Sequence, residues 1–294
     1  MKQRKITKIV SSPLHQGFLG IGHTAAAVID GTQFAQTDPF ILLMDDRLDL
    51  PGGAPVGGAH PHAGFETVTL VLQGDGREWK TGSLELMTAG KGIIHTEEIT
   101  AKTKMHILQL WLVLPPDKRW AEPRWQQILV EDVPTFNNGN DEIRVYSGTS
   151  NGLTSPLKNY TPFTLVDFKL GVQSEAIQGL PASYNGFIYV VEGAVWIGDK
   201  KIVQGQSAWL ELPSVPSEET QVSFKAGDEG ARFIVYAGEP QRAAVVSHGP
   251  FIGDSQDDIR RLYQEYRQGK MPHLNHLPQN SKIKHTTTHK ETIV

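Results

Sequence analysis

Cysteine is absent from the 294 residues of the chain. Its absence excludes disulfide bonds, thiolate metal sites and cysteine nucleophiles, so a bound metal ion would need nitrogen and oxygen ligands. Long apolar runs are absent as well. None approaches the roughly 18 residues that a membrane-spanning helix requires, and we expect no contact with a membrane.

An excess of positive charge is also missing, because 28 Lys and Arg residues stand against 32 Asp and Glu, a net charge of -4. The sequence therefore lacks the broad basic field of proteins that bind nucleic-acid backbones, and we expect no direct contact with nucleic acid. The N-terminal segment is basic but has no apolar core of signal-peptide length. We expect a cytoplasmic monomer, which in a eukaryote would also be found in the nucleus.

Short apolar segments, separated by many of the 29 Gly and 18 Pro residues, dominate the chain. They are rich in Val, Ile, Thr and aromatic residues, as strands are. The clearest examples are residues 66–73, 106–114, 163–170, 187–191 and 232–236. Strands at this spacing predict an all-β fold of the sandwich or barrel type.

One segment, 255–268, has the apolar period of an α-helix. Four residues share one face of this helix: Ile259, Leu262, Tyr263 and Tyr266. Ser255 and Asp258 have the spacing of a capping box, and Gly269 suits the position just after a helix. The sequence therefore predicts a single short helix near the C-terminus.

A weak internal repeat divides the chain. Three segments in the first half resemble three segments that follow in the same order in the second half. The pairs are 65–74 and 184–193, 83–90 and 207–214, and 106–116 and 232–240. Such a repeat predicts two copies of one β-barrel. We place the first domain at residues 1–135 and the second, with the helix, at 136–278. The polar tail at 279–294 is expected to be disordered, and the C-terminal histidines, His273, His276, His285 and His289, to be solvated.

The sequence HPH at residues 60–62 is the first motif with metal-binding potential. Residues i and i+2 of a strand share a face, so His60 and His62 would point the same way. Pro61 favours an extended conformation for the residue before it. Alone, the motif is weak, because two unrelated surface histidines would look the same.

The sequence HTE at residues 95–97 repeats this spacing after a turn marked by Gly90 and Gly92. If the two motifs lie on adjacent strands, His95 and Glu97 would join the first histidine pair. Three imidazoles and one carboxylate suit Fe, Mn, Ni, Cu or Zn, and four protein ligands leave two positions of a six-coordinate ion open. We therefore predict one divalent transition metal.

At these motifs the sequence resembles the pirin family of the cupin superfamily. Residues 57–74 (GGAHPHAGFETVTLVLQG) and 87–97 (MTAGKGIIHTE) resemble the two metal-binding signatures of its N-terminal cupin. Segments 38–46, 109–116 and 248–270 resemble further pirin segments, so the resemblance covers most of the chain. It implies an all-β protein of two tandem cupin (jelly-roll-like) β-barrels with a short C-terminal helix.

The resemblance also implies a ligand set for Fe(II), with Mn, Ni, Cu, Zn and Co as alternatives: His60, His62, His95 and Glu97. Glu66 lies where many other cupins place their carboxylate ligand, and the resemblance favours Glu97 instead. In the second copy the matching positions are Gly179, Pro181 and Glu218, so the second barrel is expected to hold no metal. The hairpin between Gly74 and Met87 is shorter than in most pirins, which affects the inferred substrate preference most.

Two functions follow from the resemblance. Several pirin-like proteins are associated with quercetin 2,3-dioxygenase activity, which opens the flavonol ring and releases carbon monoxide. This implies an oxidoreductase acting on dioxygen and on a flavonol-like or other vicinal hydroxy-keto substrate, with Glu97 or Glu66 as the general base. Other pirins are metal- or redox-dependent partners of transcription factors or metabolic enzymes. A third interpretation, a metal-free β protein with incidental histidines, would be excluded by stoichiometric metal.

Overall fold

The computed structural model of the chain describes residues 1–74, 79–213 and 219–286. The strands of its first part, in chain order, are β1 (Lys2–Gln3), β2 (Ile6–Ser11), β3 (His15–Gln16), β4 (His23–Ile29), β5 (Phe40–Leu50), β6 (His60–His62), β7 (Phe65–Gln73), β8 (Leu84–Thr88), β9 (Ile93–His95), β10 (Thr103–Val113) and β11 (Arg124–Ile128).

The remaining described strands are β12 (Thr135–Asn137), β13 (Glu142–Ser147), β14 (Thr149–Ser150), β15 (Leu153–Thr154), β16 (Phe163–Leu170), β17 (Glu175–Pro181), β18 (Asn185–Ile197), β19 (Lys200–Val203), β20 (Gln206–Leu210), β21 (Glu219–Gly238), β22 (Val246–His248), β23 (Phe251–Gly253) and β24 (Lys282–His285). The α-helices are α1 (Phe34–Thr37) and α2 (Gln256–Arg267), and short 3-10 turns lie at Pro116–Lys118, Val130–Asp132, Leu274–His276 and Gln279–Ser281. The all-β prediction is confirmed.

The chain forms two compact units, and each takes residues from two separate stretches of sequence. Unit 1 contains Met1–Pro13 and Val133–Pro240; unit 2 contains Leu14–Asp132 and Gln241–Val294. One of these divisions lies between Asp132 and Val133. The predicted assignment of both chain ends differs from the structure. The N-terminal segment belongs to the unit that holds Val133–Pro240, and the C-terminal segment belongs to the unit that holds Leu14–Asp132.

Strand pairing explains both differences. In unit 1, β2 pairs with β20 and β1 pairs with β21, so the N-terminal segment extends the sheet of the second half. In unit 2, β24 pairs in parallel with β11. The tail was predicted to be disordered from residue 279, but residues 279–285 form a 3-10 turn and this edge strand. Residues 287–294 of that prediction lie outside the described residues.

Unit 2 holds the two predicted metal motifs. Its eight-stranded sheet has the order β24-β11-β8-β7-β10-β5-β4-β3, and two small sheets, β6-β9 and β22-β23, accompany it. The long strand β10 lies between β7 and β5 and is antiparallel to both. Residues of one face of a strand recur every second position, so β5 and β10 each direct one row of side chains into a cavity.

Helix α2 is also part of unit 2. The sequence places it in the second domain instead, so that prediction differs from the structure. Its predicted cap is confirmed: the Ser255 hydroxyl accepts a hydrogen bond from the backbone N–H of Asp258. Ile259 and Leu262 are buried in a cluster with Phe251, and Tyr266, at the edge of the predicted face, is exposed. The apolar face therefore attaches the helix to the small sheet β22-β23.

Unit 1 is built on a ten-stranded sheet whose central path is β12-β13-β16-β21-β18-β20-β2, with the two-stranded sheet β14-β15 beside it in sequence. Its core is apolar and aromatic, with Phe168 stacked on Phe233 and Phe187 stacked on Tyr236. No helix in the described part of the chain has the length and apolar character needed to cross a membrane.

Candidate metal centre

The HPH motif forms strand β6, which pairs antiparallel with β9. In this register His60 lies directly opposite His95, and His62 lies opposite Ile93. The sequence predicted two neighbouring strands with an i, i+2 pair on each. The structure differs on the second strand, because β9 ends at His95 and the next two residues of the HTE motif follow it as irregular chain.

The three imidazoles converge. Ligand nitrogens of His60, His62 and His95 all lie within 4.8 Å of one another. The Nε2 atoms of His60 and His95 are 2.8 Å apart. The ring centroid of His62 lies 4.9 Å from that of His60 and 5.0 Å from that of His95. This arrangement, called the histidine cluster below, is a nitrogen-only donor set of the kind that divalent first-row metals accept.

A glycine turn joins β8 to β9 and sets the start of the second ligand strand. Gly90 has a positive φ of 49°, which favours glycine, and its carbonyl accepts a hydrogen bond from the N–H of Gly64 at 2.8 Å. Gly64 follows the first motif closely, so this bond ties both histidine-bearing segments together. A Cβ atom on Gly90 would lie 1.9 Å from the carbonyl oxygen of Ala121.

Gly90→Ala is therefore expected to destabilise the protein by more than about 2 kcal/mol, because a clash with backbone is added to the left-handed strain of about 1–2 kcal/mol. The matched control is Gly269→Ala. Gly269 has a φ of 66° and open space around its Cβ position, so its substitution adds only the strain. Urea unfolding measures both. Equal losses for the two variants would contradict a steric role for this turn.

A buried arginine supports the same region. Arg119 is fully buried, and its Nη1 donates to the carbonyl of Gly64 at 3.2 Å. Its Nε donates to Asp254 Oδ1 at 3.0 Å, just before helix α2. Arg119 thus connects the segment after the first motif to the segment that precedes the helix.

Hydrogen bonding fixes the orientation of His60. Its Nδ1–H donates to the carbonyl of Gly58 at 2.9 Å, which leaves a lone pair on Nε2. Without a metal, the Nε2–H of His95 donates to that lone pair. A bound cation would take both Nε2 lone pairs after the His95 proton has moved to Nδ1 or to solvent, as metal binding at histidines requires.

The electrostatics favour the neutral, ligating form of the buried rings. Burial lowers the pKa of His62 well below its usual value, and positive charge on His95 and His60 would lower it further. Burial, followed by the influence of His60 and His273, lowers the pKa of His95 to about 3. Both imidazoles are therefore neutral at pH 7, and neutral imidazole is the form that binds metals.

Glu97 lies beside the cluster without belonging to its closest group. Its Oε2 atom is 3.9 Å from Nε2 of His60, and its Oε1 accepts a hydrogen bond from Gln109 Nε2 at 3.3 Å. Burial raises the pKa of Glu97, while His60 and the Gln109 hydrogen bond oppose that rise. A carboxylate with these properties fits an oxygen ligand or a proton acceptor next to three imidazoles.

Glu66, the other predicted catalytic carboxylate, points elsewhere. It is fully buried, and its Oε1 accepts a hydrogen bond from Thr88 at 2.6 Å and lies 3.5 Å from Arg124 Nη2. Glu66 is not among the residues that line the cavity beside the histidine cluster. The geometry therefore favours Glu97 over Glu66 for contact with a substrate.

The C-terminal region contacts the ligand strand β9, although its histidines were expected to be solvated. The N–H of Ile94 donates to the carbonyl of Pro272, and Thr96 Oγ1 lies 2.9 Å from Nε2 of His273. His285 is likewise bonded to Gln126. His273 and His285 make these hydrogen bonds because the C-terminal segment packs against strand β9 and against the edge of the sheet. His289 lies outside the described residues.

A cavity of about 940 Å³ opens beside the cluster, entirely within unit 2. His60, His62 and Glu97 lie on its wall, together with mostly apolar side chains such as Met44 and Trp111. The Trp111 ring lies 5.3 Å from the ring of His62. An apolar chamber with a few convergent polar groups is typical of a small-molecule site.

Four polar residues of this cavity belong to no motif recognised in the sequence: His23, Asp46, Glu98 and Gln109. The pair His23 and Asp46 is separated by 23 positions in sequence, so only the pairing of β4 with β5 brings the two together. A signal for Asp46 does exist. In the alternating strand β5 it occupies the same face as Met44, where an apolar residue would be expected.

Two of the three positions that match the ligand histidines in the second copy lie among its described residues. Gly179 and Pro181, which match the first two histidines, lie on strand β17 of unit 1 and offer no ligand side chain. Glu218, matched to His95, lies outside the described residues. Within the described ranges, the His60, His62 and His95 group is the one candidate metal site of three or more such residues.

Two cupin domains, one of them with a histidine cluster at an apolar cavity, define the class of protein. The family model "Pirin" matches residues 23–112, and the model "Pirin C-terminal cupin domain" matches residues 165–272. Pirin from Rattus norvegicus is 32% identical over 266 residues, covering 85% of this chain and 88% of that protein. The chain belongs to the pirin family.

Solved structures share the fold. A quercetin 2,3-dioxygenase from Acinetobacter baumannii matches with a TM-score of 0.76 and 24% identity, covering 91% of this chain and 98% of that one. A bacterial pirin from Escherichia coli, in complex with nickel(II), matches with a TM-score of 0.57 and 19% identity, covering 79% of this chain and 99% of that one. At these identities the likeness establishes the bicupin fold.

Proposed function

We propose that this protein is a metal-dependent dioxygenase of the quercetin 2,3-dioxygenase type. One observation carries the proposal: His60 and His62 of the histidine cluster, together with Glu97, lie on the wall of a large, mostly apolar cavity. Its substrate is a flavonol-like or other vicinal hydroxy-keto compound, and dioxygen is the second substrate. The name of the Acinetobacter baumannii neighbour supports this choice of reaction.

In this proposal His60, His62 and His95 hold the metal and Glu97 completes the ligand set. When bound there, a divalent metal would supply Lewis-acid chemistry at this end of the cavity. Glu97 takes the proton of the substrate hydroxyl, because burial raises the pKa of this carboxyl and makes it a better base. Gln109, bonded to Glu97, keeps the carboxylate oriented.

The cavity wall performs the remaining tasks. Trp111 and Met44 offer flat and flexible apolar surface to an aromatic ring, and they exclude water from the reacting end of the substrate. Fe(II) is the proposed metal from the family resemblance. Nickel(II) is the first alternative, since the Escherichia coli neighbour is in complex with that ion.

The test is anaerobic loading with Fe(II), and separately with nickel(II), followed by mixing with quercetin and air. We expect the flavonol absorbance band to disappear with matching oxygen consumption and release of carbon monoxide. His60→Ala should abolish these changes. Equal bleaching by the wild type and the variant would reject the proposal. Stoichiometric metal without any turnover would instead favour the metal-dependent regulator.

A further inference from the structure

The cavity contains a second polar position whose side chain the proposed reaction does not use. Strand β5 directs Leu42, Met44, Asp46 and Leu48 towards the cavity. Asp46 is the only charged residue of that row. On the neighbouring strand β10, Asp46 pairs with Ile107 and Met44 pairs with Gln109. A carboxylate in such a row loses hydration on burial, so its presence requires a compensating partner.

His23 is that partner. Its Nε2–H donates to Asp46 Oδ1 at 2.8 Å, and the ring is almost completely buried. The second oxygen of Asp46 makes no hydrogen bond to any described residue, although Asp46 lies on the cavity wall. One oxygen is thus fixed by the protein and the other is left to accept a hydrogen bond from a bound molecule.

The segment before β4 holds His23 in this orientation. The N–H of Leu19 donates to His23 Nδ1 at 3.2 Å, which fixes the tautomer that carries the proton on Nε2. The Phe18 ring meets the His23 ring edge-on at 5.3 Å. A Cβ atom on Gly17 would lie 2.3 Å from the same ring, so glycine is needed there. These contacts describe a built site, since several elements position one imidazole.

The strand register places the Asp46 carboxylate at a distance from the end of the cavity that carries the histidine cluster. Gln109, which is bonded to Glu97, faces Met44, and Asp46 is two residues further along the same strand. Two residues of a strand span ~7 Å. Apolar side chains, including Met44 and Ile107, line the interval. The cavity therefore fits an elongated apolar molecule with oxygen atoms at one end and a hydroxyl group at the other.

We propose that Asp46 is a specificity-determining residue that accepts a hydrogen bond from a substrate hydroxyl remote from the metal-binding oxygens, and that His23 is its positioning residue. This inference rests on the proposed function, because it names the substrate class of the same cavity: planar polyphenols with a hydroxyl on a second ring. A compound that lacks the remote hydroxyl leaves the Asp46 oxygen without a partner, which penalises its binding.

Anaerobic binding to the nickel(II)-loaded protein tests this without any turnover, because dioxygen is absent. Quenching of tryptophan fluorescence reports on the cavity, since Trp79 and Trp111 line it. The probes are quercetin and 3-hydroxyflavone, which keeps the hydroxy-keto pair but lacks the remote hydroxyls. Asp46→Asn should weaken quercetin about tenfold, as expected when a hydrogen bond to a charged group is lost, and should change 3-hydroxyflavone less than about twofold.

Two further variants test whether the change in affinity is specific to the pair of Asp46 and His23. Asp49→Asn removes an exposed carboxylate from the same strand and should change neither affinity. His23→Gln should reproduce the selective loss of quercetin affinity to a smaller extent, which a loss of packing alone would not do. Equal changes for both ligands, or no change, would overturn the Asp46 proposal while leaving the dioxygenase proposal intact. Failure of both ligands to bind the wild type would overturn the substrate class as well.

Discussion

His62→Ala is expected to abolish stoichiometric binding of a divalent transition metal. His62 is one of three converging imidazoles, and it is buried against His60, His95 and Trp111. Loss of a residue that merely supports a ligand already lowers metal affinity by about 10–100-fold, so loss of a ligand should lower it by at least that factor. Metal content by inductively coupled plasma mass spectrometry, after dialysis against a weak chelator, measures the change.

The control is His15→Ala, which removes an exposed histidine at the sheet edge of the same unit. It should retain the metal content of the wild type. A circular dichroism spectrum verifies that both variants fold. Retention of the wild-type metal content by folded His62→Ala would show that the histidine cluster does not bind the ion.

Arg119→Met is expected to lower the free energy of unfolding by about 3 kcal/mol. This is the lower end of the range for breaking a buried ion pair, because Asp254 is partly exposed and can be hydrated after the change. The carbonyl of Gly64 also loses its guanidinium donor. Since Gly64 follows the first histidine motif, metal affinity should fall together with stability. Urea unfolding of the metal-free variant measures the first effect, and a metal titration measures the second.

Arg260→Met supplies the comparison for an exposed arginine. Arg260 pairs with Asp257 on the surface of helix α2, and both side chains are exposed. Exposed pairs of this kind contribute about 0.3–0.5 kcal/mol, so the control should change stability by no more than that. If the two methionine variants were equally stable, Arg119 would not connect the ligand segment to the region before α2.

The sequence was sufficient to predict the local geometry of the first metal motif. His60 and His62 share a face of a short strand, as the i, i+2 rule requires, and Gly90 adopts the positive φ expected of a turn glycine. The second motif was less predictable. Its strand ends at His95, because the Thr96 hydroxyl and the neighbouring backbone bond to the returning C-terminal segment. Glu97 is therefore placed by tertiary contacts.

Long-range pairing accounts for what sequence reasoning missed. The assignment of both chain ends depends on β1, β2 and β24 finding distant partner strands, and no local pattern encodes those partners. The same holds for the contact between His23 and Asp46, which requires β4 to pair with β5 in one register. Periodicity does place Asp46 on an apolar strand face, so a search for charged residues in such rows would have found it.

The measurement that tests the central claim most directly is the metal stoichiometry of the wild-type protein produced without an affinity tag. The purified chain is loaded anaerobically with Fe(II) or nickel(II), freed of excess ion and analysed for metal and protein together. The histidine cluster predicts one tightly held ion per chain. A content far below one ion per chain with every first-row divalent metal tested would contradict the assignment of His60, His62 and His95 as a metal centre.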